Sequence, residues 1–219
     1  MILYHGSKAI VEKPVYGFGK DNNDYGRGFY CTEDIELAKE WACTSADGGY
    51  VNQYEFADDK IAVFDLNEYK LITWLTILVK NRDVRYSSPV EKRGAEYLVN
   101  HFSPNTDEYD VIKGYRADDS FFSYTRAFLA NTLSYEQLQI AIRLGNLGQQ
   151  IFLKSKKSFD RLRFLCSEEV DGEIYYPRRI LRENKAREDF YALLEQNEGK
   201  GIHIRDIIDK EMSYDELCL

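Results

Sequence analysis

Apolar residues recur along this chain in two rhythms. Tyr50–Phe56 alternates apolar and polar positions, and short apolar or aromatic stretches stand at Met1–Tyr4, Gly28–Cys31, Ile61–Leu66, Tyr109–Tyr115, Gln149–Leu153 and Phe159–Leu165; these predict strands. A longer period, with apolar residues three and four apart, marks Glu33–Cys43, Tyr69–Lys80, Val90–Phe102 and Ser120–Ala130 as helices. Leu71–Val79 is apolar enough to be buried, but it falls short of the roughly 20 residues that span a bilayer.

Start and stop signals sharpen these boundaries. Thr32 and Asn67 stand where N-caps belong, and Asp118 or Asp119 precedes Ser120–Ala130. Ser134 with Gln137 three residues on has the form of a capping box, opening a helix that ends at Gly145. Pro89 opens its helix from the first turn. Past Cys166 the composition shifts: Pro177–Glu195 is strongly charged and helical in character, Gly199-Lys200-Gly201 breaks it, and Ile202–Met212 is a last short element. The predicted class is α+β, with a domain over residues 1–165 and a charged helical extension over 166–219 packed on it.

Composition narrows the class further. The chain of 219 residues is 44% hydrophobic and 14% aromatic, a globular rather than a disordered make-up. Its net charge of −8 argues against a general nucleic-acid binder. Residues 154–187 run the other way, with ten Lys/Arg against six Asp/Glu, read either as a solvated face or as a docking surface for an anionic substrate or acidic partner. Cys31, Cys43, Cys166 and Cys218 are scattered without CxxC spacing, which fits a reducing cytoplasm better than a disulfide framework. The three histidines are equally dispersed, so no metal site is expected. The N-terminus has no basic-then-apolar leader, and no membrane partner is expected.

Two compact signals carry the candidate chemistry: Leu3-Tyr4-His5-Gly6-Ser7, and Tyr25-Gly26-Arg27-Gly28-Phe29-Tyr30-Cys31-Thr32 with its acid-rich helix start. Tyr109–Gly114 with Ala117-Asp118-Asp119, and Gln149-Gln150-Ile151 leading to Leu162-Arg163-Phe164, follow in order. Together they resemble the ADP-ribosyltransferase superfamily over most of residues 1–165. The closer likeness is to its histidine–tyrosine branch, and within that to a bacterial, often toxin-like group catalogued as a domain of unknown function.

The resemblance implies a split mixed β-sheet core with flanking helices, with NAD as co-substrate and no metal. ADP-ribose would pass to a macromolecular acceptor, protein or nucleic acid, with a small antitoxin protein as possible partner. It assigns His5 to the adenosine ribose, Tyr30 to stacking on nicotinamide, and Gly6 to the nicotinamide amide through its backbone. Ser7 or Thr32 would assist. Arg27 and Lys8 are pyrophosphate contacts or ordinary surface charges, and Gly28, like Gly26, approaches ligand or only shapes a loop. Tyr4 and Phe29 are expected to face the core.

At the third position of the motif the chain departs from the pattern. Gln150 stands where the superfamily has a carboxylate, and an amide bonds a ribose hydroxyl but cannot act as a general base. Either Gln150 positions the ribose for an acceptor needing little activation, or Asp118 or Asp119 supplies the acid, or the domain binds NAD without transferring. The rival classes are a non-catalytic NAD/ADP-ribose-binding regulatory module and a structural interaction domain that docks through residues 166–219.

Overall fold

A computed structural model of the chain describes residues 1–117, 119–144, 148–195 and 201–217, with the backbone alone at 119–121. The protein is α+β, and its described residues form two sheets and eight α-helices. They fall into two compact units interleaved along the chain. The first comprises Met1–Asp65, Asn105–Arg116 and Gly148–Arg182, and the second Leu66–Pro104, Ala117–Leu147 and Glu183–Leu219.

All the strands belong to the first unit. One sheet has the order β1 (Ile2–Ser7), β3 (Gly49–Phe56), β7 (Leu162–Val170), antiparallel throughout. The other runs β2 (Phe29–Cys31), β6 (Gln149–Leu153), β5 (Val111–Tyr115), β4 (Val63–Asp65), with β4 and β5 parallel. The sheets touch at one isolated antiparallel bridge: Tyr4 and Thr32 exchange both backbone hydrogen bonds, at 2.8 and 2.9 Å.

Period-two alternation sorts the side chains around this bridge. Leu3, Phe29, Cys31, Tyr54, Phe56, Ile151 and Leu153 bury into one core shared by both sheets. Tyr30 and Phe152, directly paired across β2 and β6, therefore face the other way. Phe29 is in the core as expected. Tyr4 is not: Leu3 takes that place, and Tyr4 packs with helix α1 (Ile35–Ala42) in a second cluster around Ala38, Ala42, Val51 and Val170.

Helix α1 begins two residues later than predicted. Thr32 spends its backbone on the bridge to Tyr4, and Asp34 becomes the N-cap, its carboxylate accepting from the N–H groups of Glu36 and Leu37. Helix α7 (Gly172–Glu195) begins earlier than Pro177, because Asp171 caps it by accepting from Glu173 N–H at 2.8 Å. The predicted strand Phe159–Leu165 is displaced: a short helix α6 (Lys156–Phe159), capped by Ser155, precedes β7.

The second unit is helical: α2 (Leu71–Asn81), α3 (Pro89–Phe102), α4 (Asp119–Leu129), α5 (Tyr135–Ala141) and α8 (Ile204–Asp209), joined by the later turns of α7. Helix α2 is buried from Ile72 to Val79, with Trp74 1% exposed. Asn67 does not cap it; Leu66–Glu68 forms a separate 3-10 turn, and Lys70 stands at the N-cap without a side-chain capping bond. The Ser134/Gln137 capping box forms as read. Gly145 and Cys218 lie outside the described residues.

Candidate functional site

The strand ends of the first unit bring most of the predicted site residues together. His5 Nδ1 lies 2.7 Å from the backbone carbonyl of Tyr30, and its ring packs on Phe29 with centroids 4.3 Å apart. A carbonyl only accepts, so Nδ1 carries the hydrogen. Burial lowers the His5 pKa from 6.5, against the raising effect of the Tyr30 bond. At neutral pH the imidazole is therefore uncharged with its proton on Nδ1, which leaves Nε2 a lone-pair acceptor.

Tyr30 offers its ring and not its hydroxyl. The Oη donates to Gly26 O at 2.6 Å and accepts from Tyr25 N–H at 3.1 Å. The ring leans on Phe152 with centroids 4.8 Å apart and lies nearly parallel to Tyr25, 14° between planes. Tyr25 in turn donates to Tyr115 O at 2.6 Å, so the loop before β2 is tied down at both ends.

Two glycines here are required by close packing. A β-carbon on Gly6 would lie 2.0 Å from Ala38 O and 2.7 Å from Ala42 N, because α1 crosses directly over β1 there. Gly28 would meet the Phe152 ring at 2.3 Å and Leu153 O at 2.4 Å. Gly28 thus has a packing reason of its own. Gly6 has one too, yet its backbone points usefully. Backbone groups alternate in direction along a strand, so Gly6 turns its N–H and C=O to the same side as Tyr4, past the bridge to Thr32.

Ser7 and Thr32 are already engaged. Ser7 Oγ donates to Ala9 O at 2.6 Å and accepts from Asn52 Nδ2 at 3.0 Å, and Thr32 Oγ1 accepts from Asp34 N–H. Arg27 forms a two-bond exposed pair with Asp21, and Lys8 donates to Ser45 Oγ and Gly48 O. The first unit also uses part of the basic surplus internally: Arg182 pairs with Glu40 at 2.5 Å, Arg178 with Glu36 at 3.5 Å. Asp118 lies outside the described residues, as does the side chain of Asp119.

Gln150 faces the same side of β6 as Phe152 and is 3% exposed. Its Nε2 donates to Asp24 Oδ2 at 2.9 Å and to Tyr115 O at 3.2 Å. Asp24 is itself buried, at 6% exposed. A carboxylate therefore lies one hydrogen bond from Gln150, delivered by the loop and not by the strand. In the sequence it is marked only by its place directly before Tyr25-Gly26.

Asn52 was also missed. Fully buried in β3, it donates to His5 O, Ser7 Oγ and Ala9 O and accepts from Val11 N–H at 2.8 Å, so one amide holds the end of β1 and the start of the next loop. Its signal was an Asn on the face of the strand whose other positions, Tyr50, Tyr54 and Phe56, are aromatic.

A surface hollow of about 310 Å³ in the second unit, lined by Val90, Arg93, Asn131, Ile204 and Ile208 among others, contains none of these residues. No helix among the described residues is long and apolar enough to cross a membrane.

No curated protein and no solved structure matches the chain. A family model does, over residues 1–164, a span that includes His5, Asp24, Tyr30, Asn52 and Gln150. The chain belongs to the family described as "Protein of unknown function (DUF3990)".

Proposed function

We propose that this protein is an NAD-dependent ADP-ribosyltransferase, which moves ADP-ribose from NAD to a macromolecular acceptor and releases nicotinamide. The observation that carries the reading is the His5–Tyr30 link: a neutral histidine with a lone pair on Nε2, hydrogen-bonded to the strand that holds an aromatic ring. Cleaving the bond between nicotinamide and ribose builds positive charge on the sugar, so a protein helps by fixing both sides of that bond and excluding water. In this role His5 Nε2 accepts a ribose hydroxyl, the Gly6 backbone bonds the nicotinamide amide, and the Tyr30 ring lies against the pyridine. Two sheets joined in the backbone by the isolated Tyr4–Thr32 bridge also suit the split core of the superfamily that these motifs resemble.

The test is transfer itself. Purified protein is incubated with NAD labelled on the adenylate and a cell lysate, then separated into protein and nucleic-acid fractions, with His5→Ala and Tyr30→Ala alongside. Label carried into one fraction by the wild type and lost in both variants is the expected result, and the fraction names the acceptor class. A wild type that neither transfers label nor binds NAD overturns the reading.

One observation favours a second reading. The strand position carries an amide, Gln150, and a module that only binds NAD or ADP-ribose needs no acid there. It predicts saturable NAD binding, dependent on His5 and Tyr30, without nicotinamide release.

A further inference from the structure

We infer that the protein pairs with a second copy of itself through the outer edge of β7, the two strands running antiparallel about a two-fold axis. The inference stands apart from the transferase reading and does not depend on it.

Among the described residues β7 has one neighbour in its sheet, β3, so its other side is an edge. The bridge across the sheet tells which backbone groups face that edge. Tyr4 turns its N–H and C=O to Thr32, away from β3, so Gln53 opposite it turns toward β7 and meets Cys166. Direction alternates from there along β3. Tyr50, Asn52, Tyr54 and Phe56 turn to β1, Phe56 also donating its N–H to Met1 O at 2.9 Å. Their opposite residues, Glu169, Ser167, Phe164 and Leu162, therefore turn outward. Among the described residues none of these four finds a backbone partner on that side. The strand is nine residues long, holds no proline, and exposes Leu165 and Cys166. An open ladder of this length is a template for a further strand.

The outward residues fix the register that a second copy takes. Two antiparallel copies of β7 bond Leu162 to Glu169 and Phe164 to Ser167, each pair occurring twice about an axis between Leu165 and Cys166. No other antiparallel self-pairing sets every outward residue against another. The bulge at Leu165, passed over between the Gln53–Cys166 and Tyr54–Phe164 pairs, lies beside the axis, so the two bulges fall opposite each other and the ladder continues past them. This register sets Arg163 directly opposite Glu168 of the second copy, and Glu168 opposite its Arg163. Both stand on one face of the sheet, since they oppose Glu55 and Val51 on β3. Their side chains are 69% and 57% exposed, even with Glu55 and Lys39 as present partners. Opposite charges directly across a strand pair favour it, and like charges oppose it. An in-register parallel pairing would set Arg163 beside Arg163 and Glu168 beside Glu168. The charges that guard this edge against other pairings thus match it to an antiparallel copy of itself.

The experiment measures the mass of the full chain in solution by sedimentation, at chain concentrations up to the order of 100 μM because one strand edge makes a small interface. A mass twice the 25.6 kDa of one chain is expected. Arg163→Glu sets like charges opposite each other at both ends of the ladder and should weaken association about tenfold or more; Glu168→Arg should do the same. The two substitutions joined in one chain restore opposite charges and should restore the dimer. The register is tested separately, in a Cys166→Ser background. Arg163→Cys combined with Glu168→Cys should form an intermolecular disulfide on mild oxidation, because a cross-strand pair of this kind brings its α-carbons to about 4.5 Å. Either cysteine alone should not, since it lies on the order of 15 Å along the ladder from its own copy. A chain that stays monomeric throughout overturns the inference, whatever other strand the edge accepts. So does a dimer that neither charge reversal weakens, or one that cross-links as well through a single cysteine as through the pair.

Discussion

His5 and Tyr30, 25 residues apart in sequence, are joined by one hydrogen bond from an imidazole Nδ1 to a backbone carbonyl, 2.7 Å long. That bond decides the tautomer, and burial decides the charge: the ring is neutral with Nε2 as an acceptor. A nitrogen-15 spectrum of the histidines at pH 7 should show His5 protonated on Nδ1 alone. NAD binding, measured calorimetrically, should weaken only as pH falls below 6.5 and through the lowered pKa, where the acceptor lone pair becomes a donor. Binding that does not change between pH 7.5 and 4.5 would show that His5 Nε2 accepts nothing from the ligand.

Gly6→Ala is expected to destabilise the first unit strongly. The added methyl meets two backbone atoms of α1, at 2.0 and 2.7 Å, and neither can retreat without shifting the helix from the sheet. A loss on the order of 2–4 kcal/mol in urea unfolding is expected, well above that of an ordinary surface substitution. A loss under about 0.5 kcal/mol would mean that α1 does not cross β1 this closely.

Asn52→Leu removes a buried amide whose four bonds span Val11, His5, Ser7 and Ala9. The similar volume keeps the cavity small, so the cost is that of stranded partners, about 1–3 kcal/mol. Amide exchange should rise first in residues 7–11, and NAD affinity should fall because the end of β1 is no longer held. Unchanged exchange there would separate Asn52 from the site.

Acid sensitivity should centre on Asp110. Burial alone would raise its carboxyl, but Lys157, the Ala62 N–H and Ser155 outweigh it and hold the pKa at about 2. A lowered folded value means that the folded chain stays ionised where the unfolded chain takes up a proton. Its stabilisation is present above pH 3.8 and is lost as pH falls through about 2. Asp110→Asn should cost about 1–2 kcal/mol at pH 7 and flatten the acid limb of a stability–pH curve. An acid limb identical to wild type would place the sensitivity elsewhere.

Where local chemistry decides, the sequence was readable. Gln149–Leu153 forms the predicted strand to the residue, and Ser134 with Gln137 forms the predicted box. Phe29 is buried as its alternation with Tyr30 requires. The misreadings share a cause, which is competition from distant partners. Thr32 is a sound cap until Tyr4 claims its backbone, and Asp34 then takes the role. Asp24 looks like one more acid in a polar loop, because its partner Gln150 is 126 residues away. Asn52 likewise gains its meaning from β1, on another strand. The α+β class was visible from the pattern of strands and helices, and His5 and Tyr30 stood out by their motifs; the bond between them and the one between Asp24 and Gln150 were not, because no local motif specifies either.

The pairing of β2 with β6 has a consequence for the order in which the protein is made. Among the described residues, β2 finds its strand partner in a segment that follows most of both units, and Tyr30 meets Phe152 only there. A chain still being synthesised therefore carries His5 and Tyr30 near its emerged end with neither Phe152 nor Gln150 to complete them. β3 pairs with β1 early, but its other edge waits longer still, since β7 ends at Val170. The site closes only after β6 has left the ribosome, so an incomplete product stopped before Gln149 holds His5 and Tyr30 without Gln150 or Phe152.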